Sequence, residues 1–211
     1  MFFRFGGGPA LALLLAGCAT NITGIEDGAS ALDALRVENK GLVLIHTSLH
    51  DQGCPRVLAK VAHPDAGGRY IEGEEIALKR ILNRPDVPIE VQLPAGEYGI
   101  VRLECENRLD HRIFFAHPAE RGNILTGEGA IYEQPIAKFN VRAGEFVDVG
   151  SLQLWTNAGK FKAQAVPIAD SVVQTMAAAK PAIYTHLVRR LMTTPDQAQQ
   201  SGPVASPRAA R

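Results

Sequence analysis

Cysteine is scarce: the chain has three in 211 residues, at positions 18, 54 and 105. No two stand in the Cys-x-x-Cys spacing of a redox dithiol, so that chemistry is excluded. A charge surplus is also missing. Lys plus Arg and Asp plus Glu balance at 22 each, which leaves nothing to attract a phosphate backbone and removes nucleic acid as a partner class. The one long apolar run, Pro9–Ala16, is shorter than the about 20 residues that a spanning helix takes. No Gly-x-Ser-x-Gly elbow is present, and no glycine-rich loop precedes a helix to cradle phosphate; Gly6–Gly8 stand ahead of the apolar run. The expectation is a chain that is not an enzyme and carries no cofactor.

What is present begins with the leader. Arg4 puts a positive charge ahead of a run of the length of a secretory h-region, about 7–15 residues, and Ala16 and Gly17 are small enough for a peptidase site. Cys18 follows. Leu15-Ala16-Gly17-Cys18 resembles the lipobox of bacterial lipoproteins. That resemblance implies cleavage before Cys18, a diacylglycerol thioether on its sulfur and an acyl group on its new amino terminus. The chemistry needs cysteine because a thiolate is nucleophilic enough to take the lipid. One chain binds a membrane only marginally, at about 0.8 kcal/mol per buried CH₂, so two or three make the anchor durable. Ala19 is not aspartate, and by resemblance to enterobacterial sorting this favours the outer membrane. The expected location is the periplasmic face of that membrane. The expected partners are the bilayer, through the anchor, and a protein of the envelope.

Removing residues 1–17 leaves enough chain for one domain with a real core and tails. Residues 18–40, small and polar with one helical turn around Ala31–Arg36, read as a tether. From 41 to 166, strand signals follow one another. "GLVLIHT" (Gly41–Thr47) is a continuous apolar run, and "PRVLAKVAHP" alternates. "GRYIEGEEIALKRIL" has a Gly-Glu-Glu centre that suits a hairpin turn. In "GIVRLECEN", Val101, Leu103 and Cys105 share one face and Arg102, Glu104 and Glu106 the other, which reads as a half-buried strand with a solvent-facing charge ladder. Pro118–Gly129 reads as a loop. Turns fall at Pro94-Ala95-Gly96 and Ala143-Gly144. The pattern predicts a mainly β fold, an antiparallel β-sandwich, with a short C-terminal helical segment over 167–193. Within that segment Val172, Val173 and Met176 make one stripe; Ile183, Tyr184, Leu187, Val188 and Leu191 make a second. The segment is expected to pack on the sandwich, the other reading being a docking helix for a partner. Residues 194–211 are low in apolar residues and read as a disordered tail.

The phrases "LPAGEYGIVRLE" and "FNVRAGEFVDVGSLQL" are similar to those of an uncharacterised proteobacterial lipoprotein family. Pro94, Gly96 and Tyr98 match its first turn; Gly144, Glu145, Val149, Gly150 and Leu152 match its second. The resemblance implies a small prealbumin-like or carboxypeptidase-regulatory-like β-sandwich and an envelope location, and carries no activity with it. With Cys18 lipidated, Cys54 and Cys105 can pair in an oxidising compartment, worth about 4 kcal/mol of loop entropy; two separate buried thiols are the alternative. The one metal-like cluster is "HTSLHDQGC", with His46, His50, Asp51 and Cys54. Residues four apart on a strand lie about 13 Å apart along it, so an ordinary strand end without metal is expected. The alternative is a periplasmic small-ligand or metal-binding lipoprotein that uses His46–Cys54. Trp155, the lone tryptophan, is expected at the core's edge.

Overall fold

In a computed structural model, which describes residues 27–49, 56–79, 87–107, 110–115, 118–120, 130–157 and 160–195, the apolar run of Gly41–Thr47 lies at the centre of three stacked layers. The elements follow the chain as α1 (Ala29–Val37), β1 (Lys40–Leu49), β2 (Arg56–Pro64), β3 (Tyr70–Lys79), β4 (Ile89–Pro94), β5 (Gly96–Asn107), β6 (Asp110–Phe115), β7 (Pro118–Glu120) and β8 (Ile131–Tyr132). Then come β9 (Ala137–Val141), β10 (Phe146–Asn157), β11 (Lys160–Val166), α2 (Asp170–Ala179), α3 (Pro181–Tyr184) and β12 (Leu187–Arg189). No helix among the described residues is long and apolar enough to cross a membrane.

The first sheet runs β11-β10-β1-β4, with β12 alongside β11 on the outer edge of β10. The second runs β6-β5-β2-β3-β8-β7, with β9 on β5. The fold is therefore mainly β, two sheets packed face to face. Pairing is antiparallel except β1 with β10 and β10 with β12. The sequence of β1 explains its position. Val43 and Ile45 enter the core between the sheets with Ala59, Leu103, Val149 and Leu152. Leu42 and Leu44 join Phe146 in a second core under α1, α2 and α3, with Leu32, Leu35, Ile168 and Ile183. A strand covered on both faces is apolar throughout rather than alternating.

Both Gly turns carry the chain from one sheet to the other rather than back along the same sheet. Pro94-Ala95-Gly96 joins β4 of the first sheet to β5 of the second. The Tyr98 hydroxyl donates to Pro94 O at 2.8 Å and staples that corner. Ala143-Gly144 joins β9 to β10 in the same way. Along β10, Leu44 pairs with Asp148 and Ile45 with Gly150, so Val149 is an inserted residue. Gly150 has φ 87°, and a Cβ there would lie 2.6 Å from Val166 O; only glycine fits this bulge.

Four segments differ from the sequence pattern. Residues 29–37, within the tether reading, form α1 and bury Leu32 and Leu35. Gly73-Glu74-Glu75 is not a turn but lies within β3, where a bulge opposite Lys60–Ala62 absorbs the irregularity. Pairing with β2 on both sides of the bulge outweighs the local turn propensity. The second helical stripe is helical only to Tyr184. Leu187–Arg189 pairs with Phe146–Asp148 as β12, leaving Val188 49% exposed. Residues 118–120 are the short strand β7, not loop.

Candidate functional site

The seam between β9 and the chain after β12 holds an open depression. Thr193 N donates to Lys138 O and Lys138 N to Thr193 O, each at 2.9 Å, so the C-terminal strap is stitched to β9. Met192 is buried between the sheets and Thr194 is buried beside it. Gly68, Tyr70, Glu133, Gln134, Pro135, Lys138 and residues 193–195 line an open pocket of about 450 Å³ beside this strap. Gly99 makes room for its wall: a Cβ there would come within 2.6 Å of the Tyr70 ring and 2.8 Å of Pro135 Cβ.

The pocket offers one cation, Lys138, and one anion, Glu133, both exposed. The Tyr70 hydroxyl is engaged, donating to Glu97 Oε1 at 2.6 Å. Burial and then the Glu97 carboxylate push its pKa well above the usual tyrosine value, so at neutral pH it neither accepts nor releases a proton. The nine lining residues include no His, Cys or Ser. The arrangement suits holding a small polar molecule.

Three polar clusters lie outside the pocket. Asp148 has no exposed surface; its carboxylate accepts from Arg189 Nε and from Gly150 N, each at 2.9 Å, and Arg189 also reaches Asp170 Oδ1 at 3.0 Å. Those hydrogen bonds hold Arg189 above its ordinary pKa. Glu90 on β4 accepts from Lys180 Nζ at 2.5 Å and from the Tyr184 hydroxyl at 2.8 Å, tying the helical layer to the sheet. On the second sheet, Lys60 pairs with Glu72 at 3.2 Å and Arg102 with Glu104 at 2.5 Å. Glu104 is only 8% exposed, so the ladder expected on a solvent face is in part covered.

Of the residues singled out from sequence, those that are described lie on separate strands. Cys18, Cys54, His50 and Asp51 lie outside the described residues. Cys105 sits on β5 with Val57 and Arg112 as register partners. His46 shares a 2.8 Å hydrogen bond between its Nδ1 and Ser151 Oγ, its cross-strand partner. His63 donates from Nδ1 to Glu97 O at 3.2 Å and packs on the Tyr98 ring. Trp155 is half-buried on β10 opposite Lys162. Among the described residues no group of three or more His, Cys, Asp or Glu is placed to hold a metal ion. The pocket went unseen in sequence because β3, β8, β9 and the strap converge there from far apart, leaving no local signal.

No protein-family model matches the chain, and no curated protein matches it. Among solved structures, sea bream transthyretin in complex with thyroxine is similar over 61% of this chain and 96% of that one, at 15% identity and a TM-score of 0.22.

Proposed function

We propose that the chain is a lipid-anchored cell-envelope protein, held on the periplasmic face of the outer membrane, and that it serves as a non-enzymatic structural or protein-interaction module. One observation carries this: a positively charged start, a short apolar run and Leu15-Ala16-Gly17-Cys18 in succession. The body is read as a small sandwich of the prealbumin-like kind, a reading supported by two sheets joined through a tyrosine-stapled corner. A Cys54–Cys105 disulfide belongs to the same proposal. Its support is that Val57, the register partner of Cys105, is three residues from Cys54 in the chain, within about 10 Å of backbone.

Metabolic labelling with an alkyne fatty acid, followed by intact-mass analysis, tests the anchor. The expected result is a labelled chain beginning at residue 18, with Cys18→Ser unlabelled and uncleaved. An unlabelled wild-type chain sinks the proposal. Cross-linking of the full-length protein in intact cells tests the module: a reproducible envelope partner supports it, and none above background counts against it. The pocket beside Lys138 favours a second reading, a periplasmic small-ligand binder. That reading requires a thermal shift by some small polar compound, lost in Lys138→Glu.

A further inference from the structure

We propose that the outer side of the helical layer, from Ser171 to Val188, rests on the surface of the bilayer in which the chain is anchored. The inference depends on the lipoprotein reading of Cys18 and extends it by giving the body an orientation. It begins from where the tether enters. Asp27 Oδ1 accepts from Ile183 N at 3.0 Å, so the described chain starts against α3. Only residues 19–26 separate Asp27 from Cys18. Nine peptide steps of at most about 3.3–3.6 Å put the anchor no more than about 32 Å from Asp27.

The chemistry of that side agrees with a lipid neighbour. Charged residues make up 21% of the chain, yet Lys180 is the one Asp, Glu, Lys or Arg between 171 and 188, and Glu90 holds it. α2 has no fully buried residue. Its Val172, Val173 and Met176 pack inward on the core beneath. Its outer positions are therefore Ser171, Gln174, Thr175, Ala178 and Ala179, exposed and uncharged, and Val188 is exposed beyond them. The far side of the molecule contrasts: Lys60 and Arg102 are register partners adjacent to interior Ala59 and Leu103, so they alternate to the outer face of the second sheet. Pressing those charges on a membrane requires their desolvation, whereas residues 171–188 bring exposed uncharged groups and Val188. The exposed charges of the helical layer lie instead on α1, at Asp33 and Arg36, and at Asp170 and Arg189. Such a face binds too weakly to hold a free protein at a bilayer. A short tether supplies an effective concentration of about millimolar, at which weak contact suffices to set orientation.

The test uses the full-length protein in intact cells with a benzophenone amino acid at Ala178, at Thr185, or at Asn140 on β9, all three exposed. After irradiation, the intact mass of the purified chain reports both acylation of Cys18 and any adduct. The expected result is a phospholipid adduct from positions 178 and 185 and none from 140. An acylated chain with no lipid adduct at 178 and 185 overturns the orientation and leaves the anchor standing, and equal adducts at 140 and 178 do the same. A discrete protein cross-link at 178 in place of lipid overturns it in favour of a protein-docking face. A chain without acyl groups overturns the anchor, and the orientation with it. Thermal unfolding at the parental temperature shows each variant folded, with Gln174 as the substitute position where Ala178 fails.

Discussion

Asp148 and its partner Arg189 differ sharply in exposure: the carboxylate has no accessible surface, while 39% of the arginine side chain is open to water. Arg189→Ala leaves that carboxylate accepting from the Gly150 amide. Breaking a fully buried pair costs about 3–5 kcal/mol; the half-open guanidinium lowers the expected loss to about 2–3 kcal/mol. Urea midpoints at unchanged slope measure it, and a loss below about 0.5 kcal/mol means that water already reaches the carboxylate. The tyrosines give a pH prediction. All four, Tyr70, Tyr98, Tyr132 and Tyr184, are buried. Burial first, then Glu97 at Tyr70, Glu72 at Tyr132 and Glu90 at Tyr184, raises three of their pKa values. The folded state therefore keeps protons that the unfolded chain releases near pH 10. Their stabilisation is complete below that pH and falls as pH rises beyond it. Phenolate absorbance is expected to appear together with loss of the β circular-dichroism signal, in one step above pH 10. A gradual rise while the fold persists would count against buried tyrosines.

At the scale of the element, the strap after β12 shows what sequence pattern conveys and what it withholds. Strands set by alternation or by two-sided burial, such as β1 and β5, were legible because their side chains report which faces are covered. The corners at Pro94-Ala95-Gly96 and Ala143-Gly144 were legible as turns, but their crossing between sheets was not, since a turn's residues do not encode which strand pairs with which. Ile183, Tyr184, Leu187 and Leu191 fit a helical stripe equally well, and only the free edge of β10 decides that Leu187–Arg189 extends the sheet. The same strap inserts Met192 into the core between the sheets, 2% exposed, at a position that periodicity gave no reason to select. Met192→Ala is expected to cost about 2–4 kcal/mol through lost burial and the cavity left behind. It is also expected to loosen the Lys138–Thr193 stitch that shapes the pocket. A urea midpoint within error of the parent would mean that the strap is not part of the cooperative core.

At the scale of the whole molecule, the two cores are unequal in how completely they are closed. Between the sheets, Val43, Ile45, Val147, Val149 and Leu152 have no exposed surface, and their strands pair on both sides at β1 and β10. Across the first sheet, α1 contributes Leu32 and Leu35 and α3 contributes Ile183 and Tyr184, whereas α2 contributes only half-covered side chains. A ten-residue helix is marginal on its own, so α2 is held by that partial packing and by Arg189 bound to Asp170 near its first turn. Opening α2 exposes little additional apolar surface; opening β1 or β10 exposes the whole interior. Amide hydrogen exchange should therefore divide the chain. The amides of Val43–Ile45 and Val147–Leu152 are expected to exchange only through global unfolding, their rates following its denaturant dependence. Those of Val173–Ala179 should exchange through a local opening that denaturant barely affects. Arg189→Ala should speed the first group by the whole loss of global stability and the second, at its N-terminal end, only by the smaller loss of the exposed Asp170 contact. If α2 proves as slow as β10, the helical layer unfolds as one with the sandwich, and the orienting face proposed for it must be rigid rather than loosely held.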